Sequence, residues 1–90
     1  MNSAIYKYPL KHSDRQTIII KKGAKILTAL LQGGLVCLWA EVDTEEDKTE
    51  KAIIQIVGTG HKELSQHREY INTVQVGIYV WHIYRIYEDD

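Results

Sequence analysis

One rhythm constrains this chain more than anything else in it. Short runs of β-branched and aromatic residues alternate with polar or glycine-bearing breaks from one end to the other. The runs are "AIYKYPL" (4–10), "QTIII" (16–20), "AKILTALLQ" (24–32), "LVCLWAEV" (35–42), "AIIQIVG" (52–58), "INTVQV" (71–76) and "IYVWHIYRIY" (78–87). Val, Ile, Thr, Tyr and Trp fit a pleated, half-buried surface. The pattern therefore predicts an all-β, single-domain fold over residues 1–90, a small sandwich or barrel of about seven short antiparallel strands. Residues 24–32 are the one run whose composition also suits a helix, being rich in Ala, Leu and Lys. So short a helix is not stable on propensity alone. Gly23 and Gly33-Gly34 bracket the run, and with 35–42 it reads as a β-hairpin. Pro9 suits an edge strand. The charged segment 43–51 is expected as a solvated hairpin loop, and the polar segment 61–70 as a loop or one helical turn.

Size and charge narrow the function classes. A single domain of 90 residues buries only about 60–65% of its unfolded surface, so its stability margin is thin without a partner. Eleven basic residues stand against 12 acidic ones, a net charge of −1. That balance lacks the basic excess of a general nucleic-acid binder and of a protein drawn electrostatically to membranes. Cys37 is the sole cysteine; no intrachain disulfide is possible, and a reducing cytoplasm is the expected compartment. The first residues lack the apolar core of a signal peptide, and no run is long enough to cross a bilayer.

The last run is apolar or aromatic on both faces. Alternation sets Tyr79, Trp81, Ile83 and Arg85 against Val80, His82, Tyr84 and Ile86. A strand that wets one face is polar there. This strand either lies centrally with both faces covered or presents its second face to another subunit. The latter makes a homo-oligomer an expectation.

The residues that could carry chemistry centre on Gly58-Thr59-Gly60-His61. Glycines can leave backbone N–H groups pointing into a common concavity, and such nests hold phosphate or carboxylate. Thr59 adds a hydroxyl, His61 an imidazole, and Arg68 a charge downstream. The spacing matches neither a Walker motif nor a dinucleotide fingerprint. The alternative is a plain strand-ending turn. Trp81, His82 and Tyr84 could wall or stack on a ligand, and Tyr79 and Trp81 equally suit an interface. Trp39 reads as core, and His12 and His67 as solvated loop residues. The four histidines have neither helical spacing nor a cysteine partner, so no metal centre is expected. Cys37 sits among apolar neighbours without an activating cation. Ser65 is no nucleophile elbow, and no carboxylate pair is held in an apolar setting. The chain reads as a binding protein rather than an enzyme, with no cofactor implied.

Several segments also resemble a family of small phage-encoded domains of unknown function. They are "IYKYPL" at 5–10, "GAKIL" at 23–27, "CLWA" and "VD" within 37–43, "IVGTGH" at 56–61, "YI" and "TVQ" within 70–75, and "VWH" with Tyr84 within 80–84. The resemblance runs over nearly the whole chain in order. Lys22 departs from it, standing where such proteins often have Pro. It implies a phage or prophage origin, hence a host cytoplasm, and a compact β fold. By analogy with small phage proteins that act on host defences, it implies a sponge for a nucleotide immune signal. The expected ligand is then small, anionic and nucleotide-like, held by Gly58, Thr59, Gly60, His61, Arg68, Trp81, His82 and Tyr84. The alternatives are a module that inhibits a host protein and a small virion or assembly component.

Overall fold

The computed structural model describes residues 2–62 and 64–87. It contains seven strands: β1 (Ser3–Pro9), β2 (Arg15–Lys21), β3 (Lys25–Gln32), β4 (Leu35–Asp43), β5 (Thr49–Gly58), β6 (Arg68–Val76) and β7 (Tyr79–Ile86). They form two sheets, ordered β1-β4-β3 and β2-β5-β7-β6, and every pairing is antiparallel. The molecule measures 42 × 35 × 17 Å. Its thin dimension fits two sheets stacked about 10 Å apart. The architecture is an open sandwich rather than a closed barrel.

The run 24–32 is β3, and the reason is local. Gly33 and Gly34 both take positive φ, 61° and 83°. That is the two-residue turn whose twist matches paired strands. It sets Gln32 opposite Leu35 and Leu31 opposite Val36. The polar segment after His61 differs from expectation at its end, because residues 68–70 already belong to β6. There Glu69 and Tyr70 pair with Arg85 and Tyr84 of β7. The charged loop shrinks to 44–48, since Thr49 and Glu50 pair with Lys21 and Ile20. Pro9 lies on β1, an edge strand bonded only to β4.

Two apolar clusters fill the space between the sheets. Leu10, Ala29, Val36, Leu38, Ile54, Val74 and Ile83 form one. Ile20, Ala24, Ala40, Val42 and Ala52 form the other. β4 supplies Val36, Leu38, Ala40 and Val42 at alternate positions, the period of a strand with one face inward. Trp39 is not among them. It alternates out of phase with these residues and lies half-buried on the outer face of its sheet, so the expectation of a core tryptophan is corrected. An Asn72 side chain ties the two sheets together at one side. Its Oδ1 accepts from Ala29 N–H at 2.7 Å, and its Nδ2 donates to Ala29 O at 2.6 Å. One amide thus supplies both hydrogen bonds that a neighbouring strand would have given the edge of β3.

The doubly apolar strand now has a structural account. β7 lies between β5 and β6. Its inner face carries Ile83 into the core. Because β5 and β6 are each antiparallel to β7, they run parallel to one another. The connection between them must therefore return along the length of the sheet and cross it. Ser65 marks the path: its Oγ lies 3.4 Å from Arg15 Nη1 on edge strand β2, and its carbonyl accepts from Arg68 Nη1 at 2.8 Å on edge strand β6. Arg15 alternates with the inward-facing Gln16, Ile18 and Ile20, so this crossing lies on the outer face. Val57 and Ile86 share that face, belong to neither core cluster, and are nonetheless buried. The chain covers part of the second face of β7 itself.

Candidate functional site

The glycine-rich segment is a tight turn at the end of β5. His61 N–H donates to Gly58 O at 3.1 Å, and Gly60, the third residue of the turn, has φ +91°. A glycine at that position is what a type II turn requires. Gly58 has an ordinary strand backbone and pairs with Trp81. Its missing side chain matters for a different reason: a Cβ there would lie 3.1 Å from His61 Cε1 and 3.4 Å from both ring nitrogens. The His61 ring occupies the space that a side chain at 58 would need.

Thr59 is pinned from the other side. Its Oγ1 lies 2.9 Å from His82 Nε2 and 3.5 Å from Val80 O. His82 Nδ1 lies 2.9 Å from Thr73 Oγ1, which is 2.6 Å from the Tyr70 hydroxyl. A neutral imidazole carrying its proton on Nε2 satisfies the whole string. Tyr70 donates to Thr73, Thr73 to Nδ1, Nε2–H to Thr59, and Thr59 to the Val80 carbonyl. This string anchors the turn to β7 and β6.

Trp81 faces the opposite way. It packs against the core cluster that contains Ile83. Tyr79, two residues along the same face, stacks beside it with centroids 6.5 Å apart and planes 23° from parallel. His12, from the β1–β2 connection, meets Trp81 edge-on at 5.7 Å. An open cleft of about 550 Å³ lies between the turn and the β6–β7 hairpin, lined by Gly58, Thr59, His61, Tyr79 and Trp81 with Ile78 and Val80. A smaller hollow of about 230 Å³ shares Gly58, His61 and Trp81 with it and extends to His12, Ser13 and Asp14. His61 and Asp14 also border a third hollow, of about 290 Å³, with Lys62. His61 is common to all three.

The structure thus brings Gly58, Thr59, His61 and Trp81 together around one cleft, with Gly60 shaping the turn. His82 lies behind the turn with both ring nitrogens engaged. Tyr84 is on the same outer face as His82, under the Arg68 guanidinium at 5.8 Å and beside Tyr70 at 5.5 Å. Arg68 pairs with Ile86, whereas Gly58 pairs with Trp81. Five residues of strand separate them, about 17 Å, so Arg68 and Tyr84 form a separate cluster. His12 and Asp14 line the hollows beside the cleft, and nothing in the spacing of "KHSD" ties them to a tryptophan in β7. Among the described residues, no group of three or more His, Cys, Asp or Glu side chains is placed to hold a metal ion.

An ion pair lies towards the other end of β7. Arg85 Nη2 donates to Glu50 Oε1 at 2.8 Å. This bond, with a second from Gly23 N–H at 3.2 Å, holds the Glu50 carboxyl below its usual range. Burial pushes the nearby Tyr87 phenol up.

No curated protein and no solved structure matches the chain. Residues 1–90 match the family model described as "Domain of unknown function (DUF7352)", and the chain belongs to that family.

Proposed function

We propose that this protein is a non-catalytic binding module that holds a small, anionic, nucleotide-like ligand in the cleft between the 58–61 turn and the β6–β7 hairpin. The observation that carries this reading is the cleft itself, which joins the turn to the Tyr79–Trp81 pair. Its volume of about 550 Å³ falls in the range of small-molecule sites. Aromatic faces take a planar ring. The ring nitrogens of His12 and His61 have no hydrogen-bond partner among the described residues, and Lys62 lines one hollow with His61. These three supply donors and, when the imidazoles are protonated, positive charge for a phosphate. In the phage setting that the sequence resemblance implies, such a module would sequester a nucleotide signal in the host cytoplasm and release it unchanged.

The test is a thermal-shift panel of linear and cyclic nucleotides. A ligand present at a hundredfold excess over its Kd stabilises the fold by about 2.7 kcal/mol, which in a domain this small raises Tm by about 10 °C or more. His61→Ala and Trp81→Leu should each weaken the hit, and the ligand should be recovered intact after denaturation. No shift across the panel refutes the proposal. A second reading rests on a different observation. Ile5, Leu30 and Leu35 are exposed on the outer face of the β1-β4-β3 sheet around Trp39. That face suits association with a second copy or with a host protein. Light scattering of the wild type and of Leu30→Glu separates this reading from the first.

A further inference from the structure

The β1–β2 connection is held more firmly than a surface loop of its length needs to be. Leu10, just before it, is buried, and its N–H donates to Val36 O at 2.9 Å. The Gln16 side chain then brackets Lys11: Oε1 accepts from Lys11 N–H and Nε2 donates to Lys11 O, each at 2.9 Å. Ser13 N–H donates to Lys11 O at 2.9 Å, and Ser13 Oγ donates to Arg15 O at 3.2 Å. Asp14 O accepts from Ile56 N–H at 2.9 Å, which fixes the end of the loop to β5. All of this presents His12 and Asp14 at the hollows beside the cleft. His12 stands edge-on to Trp81, and Asp14 borders the two hollows that flank His61.

Asp14 is the odd member of the group. His12, His61 and Lys62, which line the same hollows as Asp14, are donors that suit a phosphate. An ionised carboxylate only accepts hydrogen bonds and repels phosphate. The Asp14 carboxylate has no hydrogen-bond partner among the described residues, and it stands on a rigid loop. Asp14 is exposed and meets water in the free protein, so a ligand seated against it must replace that water with a donor of its own. A vicinal diol offers two O–H donors to its two oxygens, and bonds to a charged acceptor are the stronger kind. The smaller hollow opens off the aromatic cleft, so one ligand can place a ring against Tyr79 and Trp81 and a sugar against Asp14.

We infer that Asp14 is a specificity residue that reads the ribose diol, so that the cleft takes ribonucleotides in preference to 2′-deoxyribonucleotides. This rests on the binding reading above. Gln16 is a positioning residue for it, acting through the loop. Preorganising the acceptor lets its hydrogen bonds count fully toward affinity.

The experiment is calorimetric titration of the full chain with AMP, GMP, dAMP and dGMP. Wild type should bind at least one ribonucleotide roughly tenfold to a hundredfold more tightly than its deoxy counterpart, the worth of a hydrogen bond to a charged group. Asp14→Ala should erase the preference by weakening ribonucleotide binding alone. Asp14 is exposed, so the variant should keep the wild-type Tm. Gln16→Ala should reduce the preference while leaving deoxynucleotide affinity in place, an outcome that general loosening of the cleft would not give. Equal affinity for both sugars, or a preference that survives Asp14→Ala, overturns this inference and leaves the binding reading standing. Failure of all four nucleotides to bind overturns this inference, and the binding reading then stands or falls on the cyclic members of the thermal-shift panel.

Discussion

Asn72 offers the sharpest test of how the two sheets are joined. Its amide makes two short hydrogen bonds to the backbone of Ala29, a residue with no exposed surface. Asn72→Ala removes both partners at once. Each bond has a net worth of about 1 kcal/mol, and each backbone group left without a partner costs about 1–3 kcal/mol if water cannot reach it. Because β3 is an edge strand, water reaches part of the vacated space. The expected loss is about 2–4 kcal/mol in total. That is a large part of the roughly 5–15 kcal/mol typical of a small domain. In a chain of this size it should lower Tm by about 10–25 °C. Asn72→Asp sharpens the logic: it keeps the acceptor for Ala29 N–H but sets a carboxylate oxygen against Ala29 O, so it should be no better than Asn72→Ala at neutral pH. Urea denaturation of both variants, with exposed Gln75→Ala as a control, measures the effect. A loss below about 0.5 kcal/mol, the usual size of surface changes, would show that Asn72 decorates the junction rather than holding it.

Three further outcomes follow from the geometry. Glu50 titrates below its usual range because of Arg85 and the Gly23 N–H, so its stabilising contribution is present above that range and disappears as pH falls through the folded pKa. Glu50→Gln should cost about 1 kcal/mol or less at pH 7, and denaturation across pH should show the gap to wild type closing in acid. Gly60 sits at φ +91°, where a side chain is strained; Gly60→Ala should destabilise by about 1–3 kcal/mol, read as a drop in Tm. Gly58→Ala has a compatible backbone but sets a Cβ 3.1 Å from His61 Cε1; it should displace the imidazole, seen by NMR as loss of the His61–Gly58 proximity in a folded protein.

Much of the fold was legible because strand signals are local. Two apolar runs around Gln32-Gly33-Gly34 mark the β3–β4 hairpin without long-range knowledge. Trp39 was misread because residue type says how large a side chain is, whereas phase says which way it points. Its neighbours Leu38 and Ala40 hold the inward phase. For β7 the sequence left open a central position or a subunit contact, and the structure places it centrally, between β5 and β6. Only the sheet order reveals that β5 and β6 run parallel. The site was half-legible. The turn at 58–61 and Trp81 announce themselves in sequence. His12 and Asp14 reach the hollows beside the cleft through a connection whose rigidity comes from Gln16 bonding back to Lys11. The union of Arg68 with the turn was ruled out by register, which no local pattern carries.

The position of β7 has a consequence for how the molecule forms. Sheet β1-β4-β3 has all its strands once Asp43 has been synthesised. The other sheet does not. Its third strand in space is its last in sequence, and until β7 arrives β5 and β6 have no contact along their facing edges. A nascent chain halted between Val76 and Tyr79 therefore carries two unpaired strand edges and a bare apolar gap, the surface from which strands recruit foreign strands. Closure joins β7 to β6 through a local turn and to β5 across a long stretch of chain, and contacts distant in sequence form slowly. Until β7 is in place, that gap remains a surface to which a foreign strand can add.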